Sequence, residues 1–466
     1  MSAIAGVTGT PKVEEALRQC DKTGGKKLDL SGCGLLELPA VVIDKYSETL
    51  EFLNLGHNQL SRLPHDFHRL VKLKILFFLR NNFTTVPLVL RQMQALYMVS
   101  FKSNSLRTVP EECFNSKVTW LILTDNKIEK LPSSIGKLTG LRKCALAGNL
   151  LTRLPLEMKN CTQLELLRVS SNRLQEIPSF LFDLPKLAWL AIAGNPCVPS
   201  MDVQPLPTVD EKRLVLLEKL GEGASGIVWS ADWDADSIGK TRKVALKIFK
   251  GSVTSDGLPT DEIKIFSKLS GATFDTEEGM DRSKGIKPLP CVLGQTTVDN
   301  KLAVILNLIP KEFQTLGNPP NFSTCTRDTF PKGFVLNISA LLSIVRDIIC
   351  AMCIMHDLHV AHGDLYAHNI MFGGSNSEAV AATLCDFGAS TYYHGIDKSI
   401  ADKFERIEVL AFGNLLEDLS SIVQIEDQAE ESALQELQKV QRQCQDHSIS
   451  SRPSMAWLKQ FIFKLL

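Results

Sequence analysis

The first half of the chain repeats with a period of 23 residues. Seven segments place apolar residues at alternate positions and then an asparagine. The asparagines are Asn58, Asn81, Asn104, Asn126, Asn149, Asn172 and Asn195, five steps of 23 residues and one of 22. The prolines that keep the same interval are Pro64, Pro87, Pro110, Pro132, Pro155 and Pro178. A unit this short cannot bury its apolar face alone, so the pattern predicts a stack of such units.

Each unit predicts one short strand, and the asparagine amide can satisfy backbone groups of neighbouring turns. The pattern resembles that of the leucine-rich repeat family over residues 26–198, after an N-terminal segment of residues 1–25. The resemblance implies an α/β solenoid with a parallel sheet on its concave side. The side chains expected to face outward there are Phe52, Asn54, Ile75, Phe77, Met98, Ser100, Trp120, Ile122, Lys143, Leu166, Arg168 and Trp189.

Several of these concave residues are large and apolar, which favours a contact with a protein partner or substrate. Cover by neighbouring repeats explains the same residues equally well. We expect Trp120→Ala to weaken capture of a partner without unfolding the repeats.

Composition narrows the choice of partner and compartment. The 51 basic and 52 acidic residues nearly cancel, which gives no support to a nucleic-acid partner. Twelve scattered cysteines, without paired metal-ligand spacing, are typical of a reducing compartment. The first 20 residues lack the pattern of a secretory signal, and no apolar run of membrane-spanning length is evident. We therefore expect a cytoplasmic protein without membrane insertion.

A proline-rich linker, residues 199–212, precedes a glycine-rich stretch. Gly221, Gly223 and Gly226 form GxGxxG, with Val228 two positions later. Such glycines let backbone N–H groups approach phosphate oxygens. The motif alone is weak, but strand-like residues flank it on both sides, whereas a dinucleotide-binding fold would begin a helix at the third glycine.

The next candidate is a lysine within an alternating strand, "KVALKIFK". Lys247 follows the glycine-rich hairpin closely, so we interpret it as a cation for phosphate oxygens rather than a solvated charge. It needs an anion to orient it. Glu262 opens an amphipathic helix nearby, with Asp261 as the local competitor.

Residues 213–466 resemble a protein kinase domain, with further motifs in "LAVILNLIP", "HGDLYAHNIM" and "LCDFGAS". The resemblance implies an α+β bilobal fold, ATP and Mg²⁺ as cofactors, Asp364 as catalytic base, and Asn369 and Asp386 as metal ligands. It also implies that Glu262 orients Lys247 on the phosphates. The residues implied to contact ATP are Gly221, Gly223, Ser225, Gly226, Val228, Lys247, Leu306, Asn307 and Ile309.

The stretch "HGDLYAHNIM", residues 362–371, resembles the catalytic loop of the family, and the chain departs from the family in this loop and after Asp386. Gly363 stands where the family has an arginine, and Tyr366 where serine/threonine kinases have a lysine; tyrosine kinases place an arginine at the position of His368. The segment after Asp386 is short and has no Ala-Pro-Glu. Glu408 replaces an aspartate of the following helix, and the late arginine is Arg452.

The similarity is closest to tyrosine-kinase-like serine/threonine kinases joined to intracellular repeats, which implies cytoplasmic signalling. The favoured interpretation is an active kinase, because the five residues Lys247, Glu262, Asp364, Asn369 and Asp386 are all present. A pseudokinase scaffold that binds ATP without efficient turnover is the main alternative. A third interpretation places the main function in the repeats.

Overall fold

The computed structural model describes residues 11–223, 225–234, 241–251, 253–254, 256–270, 287–374 and 380–466. The chain divides into two compact units. The first comprises Met1–Lys186 and Asn195–Cys197, and the second comprises Leu187–Gly194 and Val198–Leu466.

The first unit is a stack of short parallel strands. Helix α1, Pro11–Lys22, precedes the first strand and α2, Ala40–Tyr46, follows it. The strands are β1 Lys27–Asp29, β2 Phe52–Asn54, β3 Ile75–Phe77, β4 Met98–Ser100, β5 Trp120–Ile122, β6 Lys143–Ala145 and β7 Leu166–Arg168. They pair in parallel, each with the next along the chain. This arrangement confirms the predicted solenoid sheet.

Short 3₁₀ helices follow most of the repeating prolines. They span His65–Arg69, Leu88–Gln92, Ser133–Lys137, Leu156–Asn160 and Ser179–Asp183. In each case the proline immediately precedes the first residue and has an extended backbone, as its fixed φ favours. These prolines therefore precede the start of the 3₁₀ helix in their repeats.

The asparagines satisfy the backbone of adjacent repeats, as predicted. The Asn126 amide nitrogen donates to the carbonyls of Phe101 and Leu123 at 2.9 and 3.0 Å. Its amide oxygen accepts the Leu106 N–H at 2.9 Å. Because Asn126 is buried, its side chain supplies the hydrogen bonds that the backbone groups of the turn would otherwise make with water.

The outward-facing residues of the strands are less exposed than the prediction of an apolar partner surface requires. Met98, Trp120 and Leu166 are all buried. Phe52 and Phe77 are half-buried, with their rings in an edge-to-face contact at 5.5 Å. The Lys143 ammonium lies 4.5 Å from the Trp120 ring centre.

The second unit contains the short strand β8 Trp189–Ala191 and an antiparallel five-stranded sheet. The five strands are β9 Leu214–Glu222, β10 Gly226–Asp234, β11 Thr241–Phe249, β12 Val292–Val298 and β13 Lys301–Asn307. Their order is β12-β13-β11-β10-β9, and helix α3 spans Pro259–Ser270. The end of the predicted linker is attached to this sheet, since the Val209 N–H donates to the Gln295 carbonyl at 2.9 Å.

The remainder of the second unit is mainly helical, as the bilobal α+β class predicts. Its helices are α4 Ile338–Asp357, α5 Lys398–Ser420, α6 Gln428–Cys444 and α7 Met455–Leu465. The short strands are β14 Gln314–Thr315, β15 Val360–Ala361, β16 Ile370–Gly373, β17 Ala381–Leu384 and β18 Thr391–Tyr392. Strand β15 pairs with β18, and β16 lies between β14 and β17.

Helix α4 corrects the expectation that no apolar run has membrane-spanning length. By length and composition it is the one helix in the described residues that could cross a membrane. However, 72% of its apolar window is buried, and it packs against α7 and β17. That burial is typical of a core helix. Asn337 caps it by accepting the Ala340 N–H at 2.8 Å.

Candidate active site

A tight hairpin between β9 and β10 presents the predicted glycines. The Gly223 N–H donates to the Gly226 carbonyl at 2.9 Å, which closes the turn. A Cβ at Gly221 or Gly223 would meet no described atom within 4 Å, whereas at Gly226 it would lie 2.7 Å from the Ile248 carbonyl oxygen. Gly226 is therefore needed for packing, and the space at Gly221 and Gly223 fits a ligand that approaches the backbone.

Strand pairing and further hydrogen bonds stabilise the base of the hairpin. Val228 pairs with Gly221 across the two strands. The Ser225 carbonyl accepts the Lys250 N–H at 3.1 Å, and the Lys250 ammonium donates to the Gly223 carbonyl at 2.9 Å. The predicted loop residues are thus brought together at the edge of the sheet.

Lys247 on β11 contacts two carboxylates. Its ammonium lies 2.6 Å from Glu262 Oε1 on α3 and 3.1 Å from Asp386 Oδ1. The Lys247 and Glu262 side chains are 9% and 1% exposed, so water screens this pair very little. Asp261, the local competitor, has no contact with Lys247 among the hydrogen bonds and ion pairs of the described residues.

Burial and charge set the ionisation of this trio. Burial opposes the charged form of Lys247, but Asp386 and Glu262 outweigh it and raise the pKa of the ammonium. Burial raises the pKa of Glu262 to about 7, although the lysine acts in the opposite direction. Asp386 keeps a 44% exposed side chain, and Lys247 overcomes its desolvation and lowers the pKa of its carboxyl. A negative, partly accessible Asp386 beside a positive Lys247 suits a site for charged phosphates.

The catalytic loop brings Asp364 and Asn369 together. The Asn369 amide nitrogen donates to the Asp364 carbonyl at 2.8 Å and to Asp364 Oδ2 at 2.9 Å. The Asn369 carbonyl in turn accepts the Cys385 N–H at 2.7 Å, which joins this loop to the segment that carries Asp386. The carboxylate of Asp364 is therefore oriented by a second side chain rather than left to rotate.

The donor set here fits magnesium. Because the Asn369 nitrogen is bonded to Asp364, its amide oxygen is the atom that can bind a cation. Together with the partly exposed Asp386 carboxylate it offers the oxygen ligands that Mg²⁺ prefers, and Mg²⁺ usually takes its remaining ligands from water and phosphates. In the described residues no cluster of three or more His, Cys, Asp or Glu forms a metal site, so a cage made wholly of protein is not present there.

The predicted adenine-binding residues lie at the end of β13. Leu306 pairs with Ala245 on β11 and is half-buried. Asn307 donates its N–H to the Cys291 carbonyl at 2.9 Å, which leaves that group engaged within the protein. Ile309 follows the strand and is half-buried.

Cys385 lies directly before Asp386. Burial raises the pKa of its thiol to about 12. The thiol therefore stays protonated at neutral pH, as an inert buried side chain would. All twelve cysteines lie in the described ranges, and none of them forms a disulfide.

Glu408, which replaces an aspartate of the family, makes contacts that its sequence position does not predict. On α5, its carboxylate accepts the backbone N–H groups of His362 and Gly363 at 2.9 and 2.6 Å. It also lies 2.9 Å from His356 Nε2. Glu408 therefore holds the backbone of the catalytic loop, and its position in the helix motif was the signal available for it.

Two further residues support the loop: Phe387, which belongs to the quoted "LCDFGAS" motif, and Asp328, which no motif marked. The Phe387 ring is fully buried between Phe266 of α3 and His362, with ring centres 5.3 Å apart in both cases. Asp328, in the connection before α4, accepts the His368 backbone N–H at 2.8 Å and lies 2.7 Å from His368 Nδ1. No motif marked Asp328, because its partner is 40 residues away.

The late arginine, Arg452, is buried. Its guanidinium donates to the backbone carbonyls of Asp446 and Arg406 at 2.9 and 3.0 Å. Burial lowers the pKa of this arginine to about 10, which still leaves it charged at neutral pH.

Comparisons with known proteins support both parts of the chain. A family model described as protein tyrosine and serine/threonine kinase matches residues 214–410. A leucine-rich repeat model matches residues 49–70.

Among curated proteins, an adenylate cyclase of Schizosaccharomyces pombe is 30% identical over 158 residues, which is 33% of this chain and 9% of that protein. A leucine-rich repeat and calponin homology domain-containing protein of Mus musculus is 30% identical over 128 residues, 27% of this chain and 18% of that protein. The chain thus spans under a fifth of either relative.

Proposed function

For a chain that joins leucine-rich repeats to a protein kinase domain, we propose transfer of the γ-phosphoryl group of Mg-ATP to a serine or threonine hydroxyl of a protein. The observation that carries this proposal is the contact of Lys247 with both Glu262 and Asp386. Phosphoryl transfer depends mainly on positioning and charge neutralisation, and this trio joins the phosphate-binding cation to a metal ligand.

The other residues take complementary roles. Asp364, oriented by Asn369, would accept the proton of the attacking hydroxyl. Gly221, Gly223 and Gly226 would let the hairpin cover the phosphates, and Lys247 would bind the α- and β-phosphate oxygens. Asn369 and Asp386 would hold magnesium, which supplies positive charge against the phosphates when it is bound.

The repeats would recruit the protein partner or substrate, and a cytoplasmic location fits this role. The concave face remains the proposed surface. Phe52, Phe77 and Ile122 are its better candidates, since they are half-buried whereas Trp120 is only 8% exposed. Truncating Trp120 would therefore also disturb packing.

A pseudokinase scaffold is the second candidate, and Tyr366 favours it. Tyrosine cannot supply the positive charge that serine/threonine kinases place near the transferred group. The segment from Asp386 to the start of α5 at Lys398 is also short for supporting a peptide substrate.

Phosphate incorporation from labelled Mg-ATP by the purified full chain tests the choice, with Asp364→Asn and Asp386→Ala assayed beside it. Nucleotide binding is followed in parallel by thermal shift. An active kinase incorporates label in the wild type and loses it in both variants. If the wild type binds ATP but incorporates no more phosphate than Asp364→Asn does, the pseudokinase scaffold would replace the active kinase as the proposed function.

A further inference from the structure

The two residues that depart from the family's catalytic loop, Gly363 and Tyr366, share a neighbour. That neighbour is the segment Leu187–Gly194, the strand region of the last repeat, which belongs to the same compact unit as the catalytic loop. Its strand β8 is buried along its whole length.

Gly363 has no room for a side chain. Its φ of +75° lies in the left-handed region, which disfavours any residue with a Cβ. A Cβ there would lie 2.5 Å from the Ala389 carbonyl oxygen and 2.9 Å from the Leu190 carbonyl oxygen. The arginine of the family is therefore excluded here by backbone atoms, one of which comes from β8.

Tyr366 packs against the first residue of β8. The rings of Trp189 and Tyr366 are stacked, with centres 4.4 Å apart and planes inclined by 10°. The Trp189 indole N–H donates to the Leu365 carbonyl at 3.0 Å. Since Trp189 is 2% exposed and Tyr366 5%, this stack is sealed from water.

The same segment contacts the strand that follows Asp386. The Ile192 N–H donates to the Thr391 hydroxyl at 3.3 Å, and Thr391 belongs to β18. Strand β18 pairs with β15, directly before the catalytic loop. Leu187–Gly194 therefore contacts the catalytic loop at Leu365 and the strand β18, which follows Asp386, at Thr391.

These contacts coexist with an assembled site. Asn369 is bonded to Asp364, and Lys247 to Glu262 and Asp386, in the same structure that holds Trp189 on Tyr366. A segment that blocked the site by distorting it would break one of these contacts. The geometry thus favours support over inhibition.

We infer that Leu187–Gly194 positions the catalytic loop and compensates for the short segment after Asp386. Trp189 is the principal positioning residue and acts through Tyr366 and the Leu365 carbonyl. This inference rests on the proposed kinase function for its effect on rate. The inference requires that β8 be part of the working kinase unit. It also explains Gly363 and Tyr366 as residues that pack against β8 rather than as signs of lost kinase activity.

The test uses the full chain with Trp189→Ala and Trp189→Phe, and with Trp457→Ala as the matched control, since Trp457 is 41% exposed on α7. Two readouts are taken: kcat and KM for ATP and acceptor protein, and hydrogen exchange of residues 362–371, which does not depend on activity. Loss of positioning typically costs about 10- to 100-fold in rate. We expect Trp189→Ala to lower kcat by about that factor with KM for ATP changed less than about twofold.

The same variant should speed amide exchange in residues 362–371 by about tenfold or more, because local opening becomes easier. Trp189→Phe, which keeps a ring but loses the N–H, should recover most of the kcat. Unchanged exchange and kcat in Trp189→Ala, or a kcat above wild type, would overturn the inference. If the wild type transfers no phosphate, the kinase proposal fails, and the exchange measurement alone decides the role of β8.

Discussion

The Glu408 carboxylate accepts the backbone N–H of Gly363 at 2.6 Å, and both residues are buried inside the second unit. Gly363 is thus held from one side by a charged acceptor and approached from the other by the Leu190 carbonyl. Glu408 also accepts the His362 backbone N–H and contacts His356 Nε2. One buried side chain therefore fixes the start of the catalytic loop to α5. Although burial opposes ionisation, the neighbouring His356 lowers the pKa of Glu408 below its usual value.

Glu408→Gln should therefore destabilise the second unit. The amide loses the charge and presents an N–H₂ group where an acceptor is needed, and breaking a buried charged network costs about 3 kcal/mol. For a unit of this size that corresponds to a fall of roughly 6–12 °C in the transition midpoint. Calorimetry of the full chain measures it. The exposed Glu431→Gln on α6 is the control, and an equal fall in both variants would show that Glu408 has no special role.

Lys247→Met should abolish most phosphoryl transfer while the fold persists. It removes the cation between Glu262 and Asp386, and a single electrostatic contribution of this kind is worth about 10²–10³ in rate. The initial rate of phosphate incorporation measures the loss. Lys243→Met, an exposed lysine on the same strand, should stay near the wild-type rate, and a similar loss there would point to a general charge effect.

Local patterns predicted the repeat sheet well. The apolar alternation and the spaced asparagines act within one unit and its neighbour, so the role of Asn81 in satisfying backbone groups could be assigned from the sequence alone. Kinase motifs likewise identified Lys247 and Glu262, whose ion pair spans 15 residues.

Long-range packing was not predictable. Trp189 was expected to face outward from a concave surface, but its ring stacks on Tyr366 and its N–H reaches a residue 176 positions away. No repeat pattern encodes such a partner, because the alternation specifies only which face a side chain occupies. Tyr366 was interpreted through the lysine it lacks, whereas its ring has a packing role.

The His368–Asp328 pair predicts a pH dependence of stability. Burial opposes protonation of His368, but the hydrogen bond and charge of Asp328 prevail and raise the pKa of the imidazole. Because the imidazole pKa is higher in the folded state than in the unfolded state, protonation of His368 stabilises the fold. This stabilisation is fully present at pH values below the unfolded-state pKa of about 6.5 and is lost as the pH rises through the folded-state pKa.

His368→Asn should consequently cost more stability at pH 6 than at pH 9. Thermal midpoints of wild type and variant, measured across that range, give the difference. His447→Asn, at an exposed histidine, is the control. A cost for His368→Asn that grows with pH would contradict the assigned direction of the pKa shift.

Asn81 and Asn82 allow a matched test of how the repeats are held together. The buried Asn81 accepts the Leu60 N–H at 2.9 Å and donates to the Leu55 carbonyl at 2.8 Å, whereas the exposed Asn82 side chain makes a 3.5 Å contact with the Gln59 carbonyl. Asn81→Ala leaves buried backbone groups unpaired, each at a cost of about 1–3 kcal/mol. Exposed Asn82→Ala should stay within about 0.5 kcal/mol of wild type.

Hydrogen exchange of the full chain separates the two variants. Asn81→Ala should accelerate exchange in the turns on both sides of residue 81, at Leu60 in particular, because that amide loses its acceptor. Asn82→Ala should leave the same amides protected. If the two variants behaved alike, the stability of the stack would have to come from its apolar core, and the regular spacing of the asparagines would reflect turn geometry alone.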